Sequence, residues 1–507
     1  MFTAPDPGRL RLRTALRAVI GVGAAVAASE LCGLSLSASI TGGLAALLAL
    51  FTVTDASVPA QRITTALLPA AGFPVLALAA ALHDVTAARD AAFVATVFCG
   101  VYARRWGPRG QALGIFAFMS YFVAQFLHTV PADLPGLYAA MTLALLVAGV
   151  VRFLLWPVER ALPPVALPAG PPGTGLTRPT TRQAFQAAVA CGLALLVGQA
   201  LSEDRWYWAV GTAWWIFVNT ASRGETLVRG FRRVLGTVIG VAVGLLVAVP
   251  LQGAPAPSAA LVALCVFGIF YTAAVSYSWM MLAVTVMVSL LYGLLGVLDP
   301  GLLALRLVET GVGAVCATLA VVLVLPVTTH ATNDAWIRRA LHCVHAAATA
   351  TAARVEGVPG ADPAPHAAEL ELLFGRARMA LAPLVHPLNP FRARKARARA
   401  ALRLLDDCVG EVRALVSATA DPAGSREASL IDACWRVKAA VEALTTPGGR
   451  AAAHGPKAVD TPVEEAGTAL GHLHNLERAL SDLATPLGTA PGSRPTGRAL
   501  ADSSSLT

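Results

Sequence analysis

Two groups of residues could do chemistry in an otherwise inert stretch of chain. The first is the pair Arg306 and Glu309 in LLALRLVETGVGAV (302–315), an apolar run with no other charge. At 1.5 Å per residue both lie about 9–14 Å inward from Pro300 along a helix. Ionisable groups at such depth in an apolar span are costly and face protein or water. Three-residue spacing permits a mutual salt bridge. The functional alternative makes Glu309 a proton carrier and Arg306 a carboxylate site.

The second group is RWYWAVGTAWWIFVN (205–219), with four of the chain's nine tryptophans within ten residues. Helical spacing aligns Trp208, Thr212, Trp215 and Asn219 on one face. Indoles alternating with a hydroxyl and an amide suit a flat, partly apolar ligand. Interhelical or lipid-facing packing is the competing explanation. Trp206 and Tyr207 fit an aromatic belt at the outer membrane surface.

Next comes RGETLVRGFRRVLGTVIGVAVG (223–244). Arg229, Arg232 and Arg233 mark a basic helix start, which membrane topology alone explains in part. They would also recruit an anionic solute. Gly236, Gly240 and Gly244 repeat every four residues, the pattern that lets helices approach closely in lipid.

The order of a Trp-rich span containing Tyr207, Trp208 and Ala209, then Arg229, Arg232, Gly236, Thr237 and Gly240, resembles the fusaric acid resistance, or aromatic acid exporter, family of bacterial inner-membrane proteins. The likeness is good over about 182–326 and weaker over 11–157, where Arg62 is kept but Ala70 and Pro74 replace glycines. It implies a proton-driven exporter of aromatic carboxylic acids and a similarity to plant organic-anion channels. It brings no agreed catalytic residues with it.

The elements that must position these residues are read from composition. The chain has 507 residues, 56% hydrophobic and 14% charged, with a mean hydropathy of +0.63. Soluble domains carry about 25% charged residues, so an all-α polytopic membrane protein is expected. The net charge of +9 does not signal nucleic acid, because arginines sit between apolar runs and Arg outnumbers Lys 36 to 3, as in a GC-rich bacterial genome. Twelve candidate spans are expected, six over 15–156 and six over 184–326, or ten with two re-entrant pieces. Arginine asymmetry between alternate loops puts both termini in the cytoplasm, in a bacterial plasma membrane.

The halves repeat. An offset of 169 sets Tyr102 on Tyr271, Ser120 on Ser289, Pro131 on Pro300 and Pro157 on Pro326; an offset of 166 sets Phe51 on Phe217. Two parallel six-helix repeats follow, 1–160 and 182–328, joined by a Pro/Gly linker over 161–181. The first repeat has Gly42, Ala46, Ala49 and Val53 in register with the tryptophan face, and Leu137 and Ala140 in register with Arg306 and Glu309. Function is therefore expected in the second repeat. Residues 329–486 read as a cytoplasmic helical domain and 487–507 as a disordered tail.

Other signals are weak. Glu30 is a lesser candidate, and ARKARARAALR (393–403) is a basic helix start suited to an anionic leaflet. His342, His345, His472 and His474 lack ligand spacing, and the eight scattered cysteines read as buried thiols, so no metal, cofactor or catalytic residue is expected. No Walker motif or nucleophile elbow occurs, which speaks against an enzyme. The expected partners are lipid bilayer, a small organic anion and protons, with a homo-oligomer left open. A passive organic-anion channel and a non-transporting membrane anchor with a partner-binding domain remain alternatives to the exporter.

Overall fold

The structure is a computed structural model that describes residues 9–159, 175–218, 220, 223–325, 329–385, 392–418, 427–445 and 468–487. Most of the expected linker, Asn219 and the expected tail lie outside these residues. The chain divides into two compact units, Met1–Thr328 and Thr329–Thr507.

The first unit contains α1 (Leu10–Leu31), α2 (Leu36–Thr52), α3 (Val58–Ala81), α4 (Thr86–Tyr102), α5 (Gly107–Phe126) and α6 (Leu134–Glu159). These are followed by α7 (Pro179–Leu201), α8 (Tyr207–Phe217), α9 (Arg223–Leu251), α10 (Pro255–Thr272), α11 (Tyr277–Leu294) and α12 (Pro300–Leu323). Polar starts fix several boundaries. Ser35 Oγ accepts from the Ala38 amide at the head of α2, and Asp299 accepts from Leu302 at the head of α12, with Pro300 in the first turn.

Among the described residues, eight of these helices are long and apolar enough to cross a membrane: α1, α3, α6, α7, α9, α10, α11 and α12. The other four of the twelve expected segments, α2, α4, α5 and α8, are helices that do not meet that measure. The shortfall is clearest at α8, whose 11 residues cover about 16 Å against a hydrocarbon core of about 30 Å. Its helix stops at Phe217 because the Phe217 and Thr220 carbonyls are taken by the Arg104 side chain, at 3.1 and 3.2 Å.

In this unit α1 packs on α2 and α6, α2 on α6, α3 on α5, and α4 on α5. Helix α7 packs on α8 and α12, α8 on α12, α9 on α11, and α10 on α11; α4 meets α7 and α1 meets α10. The glycines of α9 set its approach to α11. A Cβ on Gly236 would lie 2.5 Å from the Ser278 carbonyl oxygen, one on Gly240 2.7 Å from Thr285 Cβ, and one on Gly244 2.5 Å from Ser289 Oγ. Gly236→Leu is therefore expected to destabilise the unit by about 1–3 kcal/mol through overpacking against backbone. Thermal denaturation of the detergent-purified variant would measure it, and an unchanged midpoint would mean that the helices separate at no cost.

The second unit contains α13 (Thr329–Val355), α14 (Ala364–Val385), α15 (Arg392–Ala418), α16 (Glu427–Thr445) and α17 (Ala469–Leu487). Helix α13 packs on α14, α14 on α15, α15 on α17, α17 on α16 and α16 back on α13, closing a ring around Val344, Leu373, Cys408, Val437 and Leu473. Burial pushes the Cys408 thiol up to about 12 and that of Cys434 up to about 11. Both are therefore inert protonated thiols at neutral pH.

Candidate functional site

Helix α12 turns Arg306, Glu309 and Gly313 towards α8. Helical spacing puts the three on one stripe. Gly313 lets the two backbones touch: a Cβ there would lie 2.4 Å from the Ala209 carbonyl oxygen and 2.7 Å from Thr212 Cβ. One turn up the stripe, Glu309 is fully buried, and Arg306 is 4% exposed.

The salt bridge that their spacing allowed is absent. Both carboxylate oxygens of Glu309 are buried with no hydrogen-bond partner among the described residues, as are Nε and Nη1 of Arg306. The Arg306 guanidinium instead lies over the Trp208 ring, 3.7 Å from its centroid. Trp208 is held in turn, its indole Nε1 donating to Tyr292 Oη at 2.7 Å. Phe122 and Phe126 close around it edge-on, at 5.1 and 6.0 Å between centroids. The arrangement therefore sets a cation on an aromatic face beside a carboxyl, with four buried polar atoms that have no hydrogen-bond partner among the described residues.

Tyr207 and Trp206 are 1% and 3% exposed, so they are interior residues and not an aromatic belt facing lipid. Tyr207 Oη accepts from Arg205 at 3.0 Å, and the Trp206 ring lies edge-on to Phe93 and beneath Arg89. The short α8 explains the difference: it is wrapped by helices on all sides and presents its indoles to them. Trp214 illustrates this, stacked on Phe118 at 4.3 Å.

The remaining site candidates divide. Thr212 is buried against α12, Trp215 is half-buried, and Asn219 lies outside the described residues. The three α9 arginines do not form one cluster. Arg232 is exposed. Arg229 donates to the Trp215 carbonyl at 3.2 Å and sits 4.0 Å from the Tyr277 ring centroid. Arg233 is 6% exposed, with Nη1 2.9 Å from Met281 Sδ and 3.4 Å from Tyr277 Oη, while its Nε has no partner among the described residues. Glu30 is exposed at the end of α1.

Four residues that sequence reading passed over prove central. Tyr292 holds Trp208, and Tyr277 meets Arg229, Arg233 and the Trp215 carbonyl, the two tyrosines standing 84 and 62 residues from their α8 partners. Arg104 caps α8. Arg152 lies inside α6, 3% exposed, and donates to the Val53, Ala49 and Leu50 carbonyls at 2.7, 3.0 and 3.0 Å. A charged residue within an apolar run was the available signal for Arg152.

Comparison with known proteins falls on the same region. No curated protein matches the chain. Residues 193–320 match a family model described as fusaric acid resistance protein-like. That stretch runs from within α7 to within α12 and takes in Trp208, Arg229, Arg233, Tyr292, Arg306 and Glu309, so the multi-span membrane unit of this chain carries a fusaric acid resistance protein-like domain.

Proposed function

We propose that the chain is a secondary transporter that exports small aromatic carboxylates from the cytoplasm, coupled to protons. The observation that carries this reading is the pair of buried ionisable groups on α12, Arg306 and Glu309, that form no salt bridge and leave four polar atoms without a hydrogen bond among the described residues. An unpaired guanidinium and an unpaired carboxyl in an apolar interior each cost several kcal/mol, on the order given by ion desolvation. A protein that held them only for structure would be better served by apolar residues. A carboxylate arriving at Arg306 would satisfy its free N–H groups, and its ring would rest among Trp208, Phe122 and Phe126. Glu309, beside it, would take up or release a proton as the anion comes and goes. Arg229, Arg232 and Arg233 would gather the anion at the cytoplasmic end, with Thr212 and Trp215 along the way.

The same reading makes the membrane unit two parallel six-helix repeats with both termini cytoplasmic. Its support is the recurrence of the packing: the pairs α1–α2, α1–α6, α2–α6, α3–α5 and α4–α5 have counterparts six helices on. The junctions α4–α7 and α1–α10 are the same pair with the halves exchanged. In the first half the face that corresponds to the site is closed, since a Cβ on Gly42 would lie 3.0 Å from the Ala140 carbonyl oxygen.

Uptake of hydroxybenzoates and other aromatic acids into inside-out vesicles holding the purified protein tests the proposal. Accumulation that needs an imposed proton gradient is the expected result. Uptake indifferent to the gradient would replace the exporter with a passive anion channel. No uptake of any acid would leave a membrane anchor.

A further inference from the structure

The second unit holds a recess of about 250 Å³ between α13 and α16. Ala352, Ala353 and Cys434 line it with small side chains, together with Trp435, Lys438 and Glu356. Trp435 is 57% exposed, whereas Trp336 of the same unit is 8% exposed. The exposed indole is not idle. Lys438, one turn along α16, places its ammonium 3.6 Å from the Trp435 ring centroid. Neither Lys438 nor Glu356 has an ion-pair partner among the described residues.

These features select a ligand by chemistry. Pockets for drug-sized ligands run to about 300–1,000 Å³, so this smaller recess suits something nearer one ring. A flat aromatic face calls for a flat aromatic partner. The ammonium over that indole calls for an anionic substituent, which gains a charge-assisted hydrogen bond. Glu356 can only accept while ionised, so a donor on the ring is what it would take.

We propose that this recess binds a hydroxylated aromatic carboxylate, its ring against the part of the Trp435 indole that the ammonium leaves uncovered, its carboxylate on Lys438 and its hydroxyl donating to Glu356. Where the membrane unit carries the same class of anion, the recess is a regulatory site at which that anion reports its own concentration. This regulatory role rests on the transport reading above; the binding does not.

The test is equilibrium dialysis of labelled 4-hydroxybenzoate against the full-length protein in detergent. Wild type, Arg306→Gln, and Arg306→Gln combined with Trp435→Ala or Lys438→Gln are compared. Trp435 and Lys438 reach the surface, so their substitution spares the core, and a thermal melt checks this. Binding should persist in Arg306→Gln and weaken about tenfold or more on loss of either the indole or the ammonium. 4-Hydroxybenzamide, without the carboxylate, should bind Arg306→Gln about tenfold more weakly. Abolition of all binding by Arg306→Gln alone would overturn the recess and leave the membrane site standing. Binding equal in wild type and Arg306→Gln but lost in both double variants would support the recess and count against the membrane site. Binding indifferent to Trp435 and Lys438 would overturn the proposal outright.

Discussion

Glu309→Gln should abolish proton-driven uptake while leaving the protein about as stable as wild type or more so. The two effects have one cause. Glu309 is fully buried, and neither oxygen has a partner among the described residues, so the folded state bears the cost of a desolvated, unsatisfied carboxyl. Glutamine keeps the shape and removes the ionisation. An uncharged amide costs no more to bury than the ionised carboxyl but is left as unsatisfied, so stability should hold within about 1 kcal/mol of wild type or rise above it. Loss of the titratable proton should reduce gradient-driven uptake of a hydroxybenzoate about 100-fold, a scale typical of losing a proton-transferring group. Vesicle uptake and thermal denaturation on the same preparation check both. Coupled uptake that survives, or a variant that melts well below wild type, would make Glu309 a structural residue.

How much of this was legible in the sequence depends on the range of the interaction. Local signals read well. The twelve apolar segments correspond to α1 through α12, because polar caps, prolines and apolar runs act within a few residues of the boundary they set. Arg306 and Glu309 stood out for the same reason, being charges in an apolar run. Depth and partnership did not read. The belt expected at Trp206 and Tyr207 assumed a span meeting lipid, but α8 is 11 residues long and enclosed by α7 together with neighbours 80 or more positions away, Tyr292 and Phe122 among them. Likewise the sequence offered a salt bridge between Arg306 and Glu309, and only the position of Trp208 accounts for where that guanidinium goes.

Arg152 supplies the opposite case from Arg306 and the sharpest structural prediction. Both are arginines within apolar helices, 3% and 4% exposed. Arg306 leaves Nε and Nη1 unsatisfied among the described residues. Arg152 instead gives its N–H groups to the Ala49, Leu50 and Val53 carbonyls and reaches Gln61 Oε1 at 3.5 Å. These are the carbonyls that the last turn of α2 cannot satisfy for itself. The guanidinium also sits at the negative end of that helix's dipole. Arg152→Met would keep the stem and remove every donor. Three buried carbonyls would be stranded at about 1–3 kcal/mol each, offset in part by no longer burying a charge, for a net loss of about 3–5 kcal/mol. A loss of that size consumes much of a typical folding free energy, so the variant should fail to accumulate as a monodisperse species by size-exclusion chromatography. Arg306→Met, by contrast, strands no acceptor among the described residues and should accumulate normally while losing substrate binding. If instead Arg152→Met accumulates as wild type does, the cap on α2 is dispensable, and partner satisfaction would no longer separate structural from functional charges in this fold.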